Sequence, residues 1–298
     1  MKQLLLNGFA ILLLSTISLK SIAQEVDLLD LVEDKTPKKE IVKNAFKSIR
    51  VINGHSMEFL SPGTMDFRIL HRFGPLNQGT KNFFGLDQAS MRLGFDFGIL
   101  QNLQIGVGRS TFKKELDGYI KYAPIRQSTG AHAFPATIAF VGGMTMHTMD
   151  FADPTITNYF SSRLAYYFQT IIGRKFSEGL TLQLSPTMVH NNLVPLSTQP
   201  NDVYSLGLGG RLKMSKRMAF TWDYYYLING IQDDVNYNPL SIGVDIETGG
   251  HVFQLHVSNA VGMNERAFIT ETTSSWENFD VRMGFNLSRI FQIKKHKK

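Results

Sequence analysis

The stretch SMRLGFDFGI, residues 90–99, puts Met91, Leu93, Phe95, Phe97 and Ile99 on one phase and Ser90, Arg92, Gly94, Asp96 and Gly98 on the other. A period of two marks a strand with one apolar and one polar face. Wound as a helix, the same residues would scatter Arg92 and Asp96 among the apolar ones. The alternation returns in residues 64–73, 103–111, 163–173, 180–188, 205–214, 219–227, 240–247, 249–259 and 279–291, and more weakly in 116–126 and 134–144. About twelve strands are expected, within a range of about 10–14.

Their connections sort by length. Residues 101–102, 174–179, 215–217 and 248–250 are short turns; 74–89, 145–158, 192–203, 228–239 and 260–278 are long loops, with 112–115 short where a long one is due. Short turns at one end and long loops at the other, with strands of roughly 10 residues, describe a transmembrane antiparallel up-and-down β-barrel. Closure also removes the strand edges that lipid does not tolerate. The rival is a soluble all-β sandwich, in which the apolar faces would meet one another. The large aromatic face, the alternating loop lengths and the final strand ending in Phe291 favour the membrane barrel.

The chain opens MKQLLLNGFAILLLSTISLKSIAQ. Lys2, the apolar run from Leu4 to Leu14 and the small residues Ser21 and Ala23 read as a secretory signal peptide over 1–23, cleaved near Ala23. The apolar run is much shorter than the roughly 20 residues of a spanning helix. There is no cysteine, hence no lipid-modified cysteine and no disulfide. The formal charge is +6. Lys2 and Lys20 leave with the leader, four lysines sit in the basic tail 294–298, and the remaining body sums to zero. The basic character is a tail effect and no nucleic-acid surface is expected. The expected location is the outer membrane of a Gram-negative cell, with lipid as the surrounding partner.

Residues 24–60 break the pattern and read as a periplasmic segment or plug preceding a barrel over 61–293. Thr36 as N-cap, Pro37 and a stripe of Ile41, Val42, Ala45, Phe46 and Ile49 predict a short amphipathic helix over 37–49. An extra strand over 46–52 is the alternative.

Candidate chemistry is sparse. NGHSME at 53–58 resembles a nucleophile elbow but lacks the closing glycine and a strand–turn–helix setting, so a polar turn is expected. His190 stands beside Asn191 and Asn192 without a serine at a telling spacing. Asp233 and Asp234 lack the ligand spacing of a calcium loop. No metal site, cofactor or catalytic residue is expected. His251 and His256 are an odd number of residues apart, so a strand sends them to opposite faces. His256 is expected in the lumen, bonded to Asp245 or Asp280.

The polar phase carries the strongest constellation. Arg68, Arg72, Arg92, Lys121, Arg163, Arg211, Lys213 and Arg282 face Asp66, Asp96, Asp117, Asp223, Asp245, Glu247 and Asp280. Near-balanced signs suit ion pairs that brace the lumen better than an ion-selective pore, which shows one sign in excess; a charge-lined solute path is the other reading.

The stretches DFRILHRFGPLNQGTKNFFGLD, GRKFSEGLTLQLSP, SIGVDIETGGHVFQLHVSNAVGMNERAFITET and GFNLSRIF resemble a family of Gram-negative β-barrel proteins classed as a domain of unknown function. The resemblance runs from about residue 26 to 293 and implies an outer-membrane barrel without assigning any residue a role. Passive passage or binding of a small solute is the expected function. The alternative is a closed barrel meeting a surface or periplasmic protein through its loops, notably 260–278, and lipid hydrolysis stands third.

Overall fold

The computed structural model describes residues 38–151, 155, 157–194, 196–230 and 236–294. The expected leader, Pro37, the Asp233–Asp234 pair and the last residues of the basic tail lie outside the described residues.

Twelve strands close into one barrel. They are β1 (Thr64–Pro75), β2 (Ala89–Leu100), β3 (Leu103–Ser110), β4 (Glu115–Ile125), β5 (Thr137–His147) and β6 (Leu164–Lys175). The second half is β7 (Leu180–Asn191), β8 (Asp202–Lys213), β9 (Met218–Leu227), β10 (Leu240–Thr248), β11 (His251–Ser258) and β12 (Arg282–Gln292). Each strand pairs antiparallel with its sequence neighbours, and β12 closes the ring on β1 from Gln292↔Thr64 to Arg282↔Pro75. The up-and-down barrel expected from the alternation is the observed fold. The β4–β5 connection, weakly marked in the sequence, occupies 126–136 and moves β5 three residues beyond its expected start.

Burial follows the period of two. In β1, Asp66, Arg68, Leu70 and Arg72 are buried while Met65, Phe67, Ile69 and His71 are half-exposed. Outside, Phe95, Val107, Ile120, Phe140, Phe168, Leu206 and Leu255 form an exposed apolar surface, as a lipid-facing barrel requires. Inside, large rings lie over glycines. A Cβ on Gly106 would stand 2.3 Å from the Tyr119 ring, one on Gly143 2.2 Å from Tyr167, and one on Gly207 2.6 Å from Tyr225. These inward glycines are the space the tyrosines occupy.

Gly142 and Gly143 are neighbours on opposite faces, and a Cβ on Gly142 meets only Phe168, at 3.6 Å. Gly143→Leu is therefore expected to lower stability by about 1–3 kcal/mol, and Gly142→Leu to be tolerated. Heat-dependent migration of the detergent-solubilised barrel on gels reads both.

Candidate functional site

Residues 44–60 fill the barrel. Glu40–Ile41 pair with Ser128–Thr129 of the β4–β5 connection, so the chain enters at the end of the short turns, hereafter the turn end. It then doubles back. Arg50 and His55 form an antiparallel bridge, Val51 N–H donates to Gly54 O at 2.9 Å, and Ser56 N–H donates to Ile49 O at 2.9 Å.

The helix expected over 37–49 is absent from its described part: a two-residue strand is followed by bends, with Asn44 at φ 58°. A helix closes its own hydrogen bonds, whereas this hairpin offers its backbone to a wall rich in polar side chains. The apolar stripe still packs, with Ala45, Phe46 and Ile49 buried.

Asp223 of β9 accepts the N–H groups of Ile52, Asn53 and Gly54 at 3.3, 2.7 and 3.2 Å. Gln254 Nε2 donates to Val51 O (2.5 Å), Asn286 Nδ2 to Ile52 O (3.0 Å) and Gln183 Nε2 to His55 O (2.7 Å). Gln183 Oε1 also accepts from Met57 N–H at 3.0 Å, and Gln104 Oε1 from Leu60 N–H at 3.2 Å. Lys121 Nζ donates to Ser56 O and Glu58 O at 2.7 and 2.5 Å. Arg72 reaches Asn53 Oδ1 (2.7 Å) and Asn286 Oδ1 (3.0 Å), Arg68 reaches Ser48 Oγ (2.8 Å), and Arg211 reaches Ala45 O (3.4 Å). Backbone groups shut away from water need such partners.

Other lumen charges pair within the wall. Arg92 holds Asp117 through two bonds of 2.8 and 2.5 Å, Tyr119 donates to Asp96 at 2.5 Å, and Asp66 takes Ser288 Oγ at 2.6 Å. Asp245 accepts from Gln254 at 2.5 Å.

Five of the sixteen named candidates lie at the rims. Arg163 precedes β6 at the loop end, its guanidinium 4.0 Å from the Phe151 ring and donating to His147 O and Met149 O. Lys213 ends β8, where the wall gives way to the turn, and is exposed. Glu247 is half-exposed and paired with Lys47. Asp280 lies just before β12, and Arg282 donates to Ser274 Oγ at 2.6 Å in the loop-end mouth. His256 is buried, but among the described residues neither Asp245 nor Asp280 bonds it; Asp245 is taken by Gln254 and Asp280 sits at the rim.

The β11–β12 connection folds into the opposite mouth as a short helix, α1 (Glu265–Thr270), capped by Asn264 Oδ1 accepting from Ala267 N–H at 2.9 Å. Glu265 meets the plug: Arg50 Nη1 lies 2.9 Å and His55 Nε2 3.4 Å from its Oε1. His55 also stands edge-on to Tyr119, with centroids 4.3 Å apart. Burial, reinforced by the Arg50, Lys121, Arg92 and Arg68 cations, holds His55 well below the usual histidine range, so it is neutral. Burial alone would lower the Arg50 pKa; Glu265, Tyr167, Tyr119 and Asp96 together outweigh it and keep the guanidinium charged.

Above α1 lies a recess of about 540 Å3. Leu193, Leu196, Val203, Val261 and Ile269 supply apolar walls; Lys113, His147, Arg266 and Glu271 line one side. That side is internally paired: Arg266 bonds Glu115 and, at 2.8 Å, Glu271, and Lys113 reaches Glu271 at 2.6 Å. Among the described residues no cluster of three or more potential metal ligands occurs.

A family described as a membrane bound beta barrel domain (DUF5777) matches residues 46–291, which takes in most of the plug and nearly the whole barrel. The chain belongs to that family. No curated protein matches it. Among solved structures, the NanC porin aligns at a TM-score of 0.48 with 10% identity, over 78% of this chain and 100% of that one. Outer membrane phospholipase A from Escherichia coli aligns at 0.44 with 13% identity, over 77% and 91%. The Ralstonia pickettii toluene transporter TbuX aligns at 0.39 with 10% identity, over 83% and 97%.

His190 lies on the outer face of this membrane-bound barrel, with Nδ1 2.7 Å from Asp202 Oδ1. Asn191 turns inward, and Asn192 donates to Ser161 O at 2.8 Å. The residues that do hold the plug include many the sequence reading passed over: Arg50, His55 and Glu265, and the uncharged Gln104, Gln183, Gln254 and Asn286. The last four share one signal, an amide at an inward position of an alternating strand.

Two predictions follow from the plug. Asp223→Ala strips three buried N–H groups of their acceptor and is expected to lower stability by about 3 kcal/mol; amide exchange at Ile52–Gly54 should accelerate with it. Because His55 stays neutral when folded, the unfolded chain takes up the proton first as pH falls below about 6.5, and stability drops. From pH 6.5 to 5.5 the wild type should lose about 1 kcal/mol more than His55→Gln, measured by urea unfolding in detergent.

Proposed function

We propose that this protein is a closed outer-membrane barrel that binds a small, largely apolar molecule in its loop-end recess and does not pass solutes through its lumen. The carrying observation is that α1 and the plug meet end to end at Arg50–Glu265, so the recess has a floor. Its volume, about 540 Å3, lies within the range of small-molecule sites, which pair apolar walls with few polar groups. The charges on one side are already paired, which disfavours an ionic ligand and leaves hydrogen-bonding edges for one polar group. The apolar outer surface and the signal-like leader support the outer membrane, with the turn end toward the periplasm.

Two measurements test this. In planar bilayers the wild type is expected to be silent, while Asp223→Ala, with a loosened plug, gives intermittent openings; steady wild-type conductance would overturn closure. In amphipol, the uncharged fluorophore N-phenyl-1-naphthylamine is expected to bind saturably. Leu193→Asp/Leu196→Asp, both on exposed loop positions, should weaken it at least tenfold; unchanged binding would sink the recess assignment.

A further inference from the structure

The body of the chain sums to zero charge, yet the fold separates the signs. At the turn end Arg174, Lys213, Lys216, Arg217, Arg289 and Lys294 are all exposed, and none makes an ion pair among the described residues. Of the acids of that rim, Glu178 and Glu247 are already held by Lys175 and Lys47, and exposed Glu40 is flanked in sequence by the exposed Lys39 and Lys43. The loop end is mixed: exposed Asp87, Asp150 and Glu277 stand among Lys81, Arg109 and Lys114.

These cations border the lipid-facing surface. Arg174 follows outward Ile172 in β6, and its guanidinium lies 5.1 Å from the Phe176 ring centroid. Arg289 occupies an outward position of β12 with its guanidinium 4.8 Å from the Phe291 ring. Lys213, Lys216 and Arg217 sit in or beside the β8–β9 turn, among exposed Leu212, Met214 and Met218. Long cationic side chains on aromatic rings at the border of an apolar band reach from hydrocarbon to headgroup level. The positions spread from β6 to β12, an arc of the rim and not one spot.

We infer that the turn-end rim is a docking belt for anionic glycerophospholipid, selecting negatively charged headgroups over zwitterionic ones in the leaflet it faces. The inference rests on the membrane placement above but not on the recess or on closure. Charge complementarity carries it: six unpaired cations at headgroup depth, well in excess of the exposed carboxylate of Glu40, meet a phosphate-bearing surface, and the apolar band continues from them.

The test is quenching of the outward Trp222 in bilayers mixing phosphatidylcholine with phosphatidylglycerol, brominating one lipid at a time. The wild type is expected to favour phosphatidylglycerol by about fivefold or more, with the preference collapsing near about 0.5 M salt. Arg174→Gln/Lys213→Gln/Lys216→Gln/Arg217→Gln/Arg289→Gln should abolish it, and Lys216→Gln/Arg217→Gln, confined to a turn, should reduce it part-way in a barrel that folds normally. Lys81→Gln/Arg109→Gln/Lys114→Gln at the loop end should leave it intact. A wild type without preference, or one whose preference the loop-end variant removes equally, overturns the belt. Flotation with vesicles of either composition is read alongside: a chain that fails to float overturns the membrane placement itself, and with it the belt.

Discussion

A hairpin carried into a barrel brings backbone groups with it, and inside the lumen those groups have no water to turn to. The rest of the interior is arranged around this demand. Asp223 gathers three N–H groups, and Gln183, Gln254 and Asn286 answer the carbonyls. An amide side chain donates and accepts from one head, so it serves a backbone that presents both kinds of group at close intervals. A carboxylate serves where the N–H groups converge. Among the charged wall residues Asp223, Lys121 and Arg211 serve the plug's main chain, while Arg92 and Asp117 are spent on each other within the wall.

The barrel was legible because lipid and lumen act on alternate residues. Met91, Leu93 and Phe95 cannot exchange places with Arg92 and Gly94 without reversing the whole strand. Loop lengths added the up-and-down order. The interior was less legible for a physical reason: period tells which side a residue faces, not how far along the barrel it meets something. Lys213 and Arg211 share a phase in β8, but Arg211 reaches Ala45 O while Lys213 is exposed at the rim. The plug misled in a second way. Ile41, Ala45 and Ile49 have helical spacing, yet the same residues bury without a helix once the barrel wall supplies the hydrogen bonds that a helix would otherwise supply to itself. Glu265 was invisible because its partners Arg50 and His55 lie over two hundred positions away in the chain.

Net charge shows the same gap between sequence and space. A body summing to zero suggests an electrically bland molecule, and as a sum it is. The up-and-down course sends alternate connections to opposite ends, and the cations gather in the short turns and strand ends on one side. Composition is blind to this because the separation arises only when the strands are laid side by side.

Leu60, the end of the plug, lies only a few residues before β1, and β1 forms the seam with the last strand, β12. Ser61 O takes Thr64 N–H at 3.2 Å and Gly63 O takes Ile293 N–H at 3.0 Å, so the plug's stem is stitched to both sides of the joint. The stopper and the zip are one piece of chain. Drawing residues 44–60 out through the turn end would pull on the very strands whose pairing closes the ring, and the barrel's resistance to being emptied is thereby tied to its resistance to being opened along its side.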